Sequence, residues 1–186
     1  MMVPTKDIPI KALAEKFGPK LNKIKVALFD VDGVLTDGKI YYQGDEVGFN
    51  RFFHTSDGYG LKLLKKMGLK VGIITGGSSM GVVKRFELLG VDHIYKGNED
   101  KRGAYLKIKE LEGCSDEEVL YIGDEFFDLP ILKKVGFSAT TPLASAEVSD
   151  AVDYTTQRSG GNGAVREVVE ILRTARNFSP NIPDFD

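Results

Sequence analysis

Short apolar runs alternate with amphipathic segments along the chain. "KVALFD", "KVGIIT", "DHIYK", "EVLYIGD" and "GFSATT" have the length and composition of buried strands. "GYGLKLLKKMG", "GVVKRFELLG", "KRGAYLKIKELEG", "DLPILKKVG" and "GAVREVVEILRTA" place apolar residues at helical spacing. This alternation predicts an α/β fold: a three-layer, Rossmann-like parallel sheet with crossover helices. Gly68, Gly90 and Gly136 each follow a segment where a left-handed C-terminal cap suits glycine, and Ser115 with Glu118 fits a capping box. One domain is expected over 24–175, after a helical extension at 1–23 and before a loose tail at 176–186.

The rhythm breaks once. "KIYYQGDEVGFNRFFHTSDG" carries two aromatic-rich extended pieces around "QGDE", which predicts a β-hairpin over about 39–54. It follows the first strand, at the sheet edge where open α/β folds place ligands, so it is a candidate flap over a site.

Composition narrows the classes. With 186 residues and a net charge of -2, the chain lacks the basic balance of a phosphate-neutralising nucleic-acid binder. Cys114 is the only cysteine, which rules out an intrachain disulfide and a thiolate zinc cluster. No apolar run is long enough to span a bilayer and no signal-type segment opens the chain, so no membrane partner and a cytoplasmic location are expected.

Four strand tips carry polar groups. Asp30 and Asp32 stand two apart after the first apolar run; if the strand stays extended they point to one side, and two such carboxylates need a cation or a shared proton. Read from the residues alone, they are equally well turn formers. Thr75 and Gly76, in "IITGG", suit either a phosphate cradle or an ordinary turn. Lys101 follows "DHIYK", and Asp124, Glu125 and Asp128 follow "VLYIG", where three acids invite a hard cation such as magnesium. In a parallel sheet all four tips meet at one edge.

In this order, "DVDGVLTDG", "IITGG", "NEDKRGAY" and "GDEFFD" resemble the four motifs of the haloacid dehalogenase superfamily of phosphotransferases. "DVDGVLTDGKIYY", "SDGYGLKLLKKMG", "GDEFFDLPILKKVG" and "GGNGAVREV" resemble its cap-less 3-deoxy-D-manno-octulosonate 8-phosphate phosphatases, which serve lipopolysaccharide precursor synthesis. The resemblance implies that Asp30 is the nucleophile, forming an aspartyl phosphate, and Asp32 the acid/base. It implies Mg2+ on Asp30, Asp124 and the backbone carbonyl of Asp32, with Thr75, Gly76 and Lys101 on the transferring group. Glu125 and Asp128 would orient Lys101 and metal-bound water. Arg85 and Arg158 become candidates for binding a small phosphorylated sugar acid. The stretch from Asp30 to Thr75 already holds a hairpin and a helix, and that from Lys101 to Asp124 one helix, so no cap domain fits. The resemblance further implies a homotetramer assembled through the hairpins, with chain ends closing neighbouring sites.

The chain departs from those relatives. They usually carry basic residues where it has Ser56, Gly77 and Asn162, and "HTSDG" is similar to phosphatases of nine-carbon sialic-type sugar acids, the alternative substrate class. A non-catalytic module would be expected to lose one of Asp30, Asp32, Lys101 and Asp124, and all are present; an open-site protein phosphatase would be a monomer with a peptide groove. His54 and His93 are expected to be structural, and Asp37 a turn residue.

Overall fold

The computed structural model describes Pro4 and residues 7–184. Its strands are β1 (Val26–Phe29), β2 (Tyr41–Tyr42), β3 (Phe49–Asn50), β4 (Lys70–Thr75), β5 (His93–Lys96), β6 (Val119–Ile122), β7 (Phe137–Thr140) and β8 (Tyr154–Thr155). The helices are α1 (Ile10–Leu21), α2 (Thr55–Lys66), α3 (Met80–Leu89), α4 (Arg102–Glu112), α5 (Leu129–Leu132), α6 (Ala146–Asp150) and α7 (Ala164–Ala175). The main sheet runs β5–β4–β1–β6–β7–β8, and every pairing is parallel.

Strand alternation makes the three layers. Ala27, Phe29, Val71, Ile73, Leu120 and Ile122 face one side, where α1, α2, α3 and α7 pack. Val26, Leu28, Ile74, Val119 and Tyr121 face the other, with Tyr105 and Ile108 of α4, Ile131 and Leu132 of α5, and Val148 of α6. α7 buries Val165, Val168, Val169 and Leu172, a stripe at helical spacing.

The N-terminal helix is packed into this body. Phe17 meets Phe137 and Tyr154 edge-on at 5.2 and 5.9 Å, and Arg176 donates to the carbonyls of Leu21 and Ile24 just after the end of α1. Another long-range tie joins α2 to α7: the buried Asp57 carboxylate accepts from the amides of Gly163 (3.1 Å) and Arg166 (2.8 Å), in the role of an N-cap supplied from another helix.

Gly68 and Gly90 adopt the expected left-handed conformation, and Glu118 accepts from the Ser115 amide at 2.9 Å as the capping box requires. Gly136 differs. It is not left-handed; a Cβ there would lie 2.0 Å from the Glu117 carbonyl oxygen, so its glycine serves a close backbone approach. The hairpin is present but short: Tyr41–Tyr42 pairs antiparallel with Phe49–Asn50. Residues 179–184 carry no helix or strand; the expected loose tail also takes in 185–186, outside the described residues.

Candidate active site

β1 ends at Phe29, and the Asp30 amide still reaches the Ile122 carbonyl of β6 at 2.9 Å. The chain then turns sharply: the amides of Leu35 and Thr36 converge on the Val31 carbonyl at 2.9 and 3.0 Å. The strand therefore does not stay extended as far as Asp32, and the two carboxylates have different partners. Asp30 meets Lys101 Nζ at 2.7 Å, whereas Asp32 is held by Arg51, whose Nη2 donates to its Oδ2 at 2.8 Å and whose Nε donates to its Oδ1.

Asp30 instead shares its surroundings with Asp124 and Asp128, whose carboxylate oxygens come within 4.8 Å of one another and of its own. Asp128 is fully buried and saturated. Its Oδ1 accepts from Lys101 Nζ (2.7 Å) and Tyr121 Oη (2.5 Å), its Oδ2 from the amides of Asp124 and Glu125 (3.1 Å each). Burial pushes Asp30 up to about 7 against the pull of Lys101, with Asp128 adding to the rise. Burial, then the charges of Asp30 and Asp128, pushes Asp124 up to about 8.

These observations bear on whether a cation fits. Asp124 Oδ1 is buried and has no hydrogen-bond partner among the described residues. With Asp128 occupied, Asp30 and Asp124 are the carboxylates able to donate to a metal, and an orphaned buried oxygen beside a second carboxylate suits a hard divalent cation. Gly33 makes room for this: at φ +83°, a Cβ there would stand 1.9 Å from Asp124 Oδ2.

The other expected residues divide into those the structure brings to this edge and those it does not. Thr75 ends β4, is buried, and accepts from the Gly77 amide at 3.2 Å; Gly76 follows it against Glu99. Lys101 lies just before α4, fully buried, with the Phe127 ring 4.5 Å away. Glu125 is exposed and its carboxylate turns back to the Phe126 amide, so Asp128 and not Glu125 contacts the lysine. Arg85 lies against Gly58 of α2 and Arg158 over Gly163 at the start of α7.

His54 caps α2 by accepting from the Ser56 amide at 3.2 Å, and His93 contacts Glu112 at 2.6 Å. Asn162 donates to Ser159 and Gly160 within its own loop, and Asp37 accepts from the Lys39 amide in a turn. Two residues at the site escaped the sequence reading. Tyr121 sits on a buried strand and reads as core, although a tyrosine near a strand end before "GDEFFD" was a signal. Arg51 belongs to the hairpin, and nothing in its local pattern shows where the hairpin folds.

Residues 56–136 match the family model described as haloacid dehalogenase-like hydrolase. Over 174 residues the chain is 36% identical to the 3-deoxy-D-manno-octulosonate 8-phosphate phosphatase KdsC of Escherichia coli (strain K12), covering 89% of this chain and 91% of that protein. The chain belongs to the haloacid dehalogenase-like hydrolases. Two solved structures are similar over most of the chain. A subfamily III A hydrolase from Legionella pneumophila has a TM-score of 0.84 at 40% identity, with 90% of this chain and 91% of that one covered. The 3-deoxy-D-manno-octulosonate 8-phosphate phosphatase of Moraxella catarrhalis, solved with magnesium, phosphate and the KDO molecule, has a TM-score of 0.83 at 38% identity over 88% and 93%. This haloacid dehalogenase-like chain is a phosphoric monoester hydrolase.

Proposed function

We propose that the protein is a magnesium-dependent phosphatase of 3-deoxy-D-manno-octulosonate 8-phosphate that works through an aspartyl phosphate on Asp30. The observation that carries this reading is the buried Asp30 carboxylate 2.7 Å from Lys101 and beside the unpartnered Asp124 oxygen. A carboxylate approaching a phosphate dianion is repelled, and a lysine already fixed by Asp128 supplies opposing charge without reorganisation.

An Asp30 oxygen attacks phosphorus, the bond to the sugar oxygen breaks, and Asp32 gives that oxygen a proton. Water then attacks the same phosphorus, Asp32 takes its proton, and Asp30 is regenerated as phosphate leaves. Thr75 accepts from Gly77 and so keeps its own hydroxyl proton free for a phosphoryl oxygen. Magnesium, held by Asp30, Asp124 and the Asp32 carbonyl, would draw charge from the phosphoryl oxygens.

The hairpin exposes Ile40, Tyr42, Val47, Phe49 and Phe52. Such an apolar patch supports assembly of the proposed tetramer through the hairpins, which would shield an otherwise open site from water. We place the enzyme in the cytoplasm, supplying a sugar acid for lipopolysaccharide; among the described residues no helix is long and apolar enough to cross a membrane.

The test is release of phosphate from a panel of phosphorylated eight- and nine-carbon sugar acids, with and without magnesium, using Asp30→Asn as control. Preference for the eight-carbon acid, dependent on metal and on Asp30, is expected. Preference for a nine-carbon acid would replace the substrate assignment, and activity retained by Asp30→Asn would overturn the mechanism.

A further inference from the structure

The Asp32 carboxylate is gripped by a residue far away in the chain. Arg51 directly follows β3 in the hairpin segment, and its side chain is only 9% exposed. It approaches Asp32 as a fork, Nε to one oxygen and Nη2 to the other at 2.8 Å, the geometry in which arginine fixes the plane of a carboxylate as well as its charge. Gly77 leaves the space for it. A Cβ on Gly77 would lie 3.0 Å from Arg51 Nη2, 3.5 Å from Asp32 Oδ2 and 3.6 Å from Thr75 Oγ1, so guanidinium, carboxylate and hydroxyl meet around one side-chain-free position. The Thr36 hydroxyl, 3.5 Å from Asp32 Oδ1, is the other neighbour from the turn itself, too distant to set the orientation alone.

We propose that Arg51 is the positioning residue for Asp32: the hairpin reaches over the sheet edge and aims the acid/base at the phosphoryl site, so the fold of the hairpin is part of the proton-transfer machinery. The inference rests on the phosphatase reading above, in which Asp32 moves the proton. Two of the five guanidinium N–H groups, one on Nε and one on Nη2, are spent on the two oxygens of Asp32, so the role assigned to Arg51 runs through that carboxylate.

The experiment is a double-mutant cycle on the intact chain, read as kcat and KM separately, with the thermal midpoint of every variant recorded. Arg51→Ala is expected to lower kcat by about tenfold or more while KM stays within about threefold, because orientation is lost and ground-state binding is not. Arg51→Lys, which keeps the charge and loses the fork, is expected to recover less than about threefold of that loss. In an Asp32→Asn background, Arg51→Ala should cost less than about twofold, since the group it positions is already disabled. Gly77→Ala, which crowds the fork without touching the hairpin, should lower kcat in the wild-type background and have no further effect beside Arg51→Ala.

A rise in KM at unchanged kcat, full rescue by lysine, or an undiminished Arg51→Ala loss in the Asp32→Asn background would overturn the proposal in favour of direct substrate binding. If Arg51→Ala fails to fold, Arg51→Lys and Gly77→Ala decide it by the same readings. Failure of the phosphatase reading is distinct: the wild-type protein would then show no turnover dependent on Asp30.

Discussion

Replacing Asp128 by asparagine tests the buried network directly. The substitution keeps the side-chain shape and removes the charge, but Asp128 accepts from two donors at each oxygen: Lys101 and Tyr121 at one, the Asp124 and Glu125 amides at the other. With its NH2 toward the Asp124 and Glu125 amides the asparagine loses two hydrogen bonds; with it toward Lys101 and Tyr121 it loses the lysine's, since the tyrosine hydroxyl can turn to accept, and Lys101 keeps Asp30 as its remaining carboxylate. Removing one partner of a buried charge pair costs about 3–5 kcal/mol. Asp128 also pushes Asp30 and Asp124 upward, so its neutralisation relieves that repulsion and offsets part of the cost. The net expectation for Asp128→Asn is a loss of about 3 kcal/mol, measured by urea denaturation in metal-free buffer with an unchanged m value. Turnover should fall about 10- to 100-fold as Lys101 loses its anchor. A stability change below about 1 kcal/mol at constant m would refute the reasoning.

Three further outcomes are expected. Because burial pushes Asp30 up to about 7 and Asp124 up to about 8, the metal-free folded chain binds protons that the unfolded chain has already released, so its stability falls as pH rises from about 4 through these values. A divalent ion takes the place of those protons, so magnesium should raise the thermal midpoint more at about pH 8 than at about pH 5, and an equal rise at both would contradict the assignment. Gly33→Ala, which drives a Cβ into Asp124 Oδ2, should weaken magnesium binding by about tenfold or more in a calorimetric titration. Phe49→Ser with Phe52→Ser should convert the proposed tetramer to smaller species in sedimentation, while monomer stability moves by less than about 1 kcal/mol because both rings are exposed; a monomeric wild-type protein would remove the basis for this.

The sheet was legible because its information is local. Strand alternation at Ala27/Phe29 against Val26/Leu28 assigns the two faces without knowledge of the partners, and the parallel order then gathers the strand tips at one edge. The separate partners of Asp30 and Asp32 were not legible: they depend on the Val31 carbonyl collecting amides from the following turn, a closure that strand periodicity does not describe. Gly136 looks like a helix cap because glycine after a helix usually is one, whereas its requirement comes from the Glu117 backbone, on a segment nineteen positions earlier in the chain. Arg51 stayed hidden for the same reason. Its partner lies 19 residues away across an irregular connection, and only the folded hairpin brings the two together.

The complete burial of Lys101 has a chemical consequence. An amine-modifying reagent needs a neutral, reachable nitrogen, and this one is enclosed by Asp30, Asp128 and Tyr121 while the exposed lysines on the helix faces react freely. Labelling at Lys101 therefore proceeds through openings of the site, and its rate relative to a surface lysine is a clock for how often the catalytic edge comes apart.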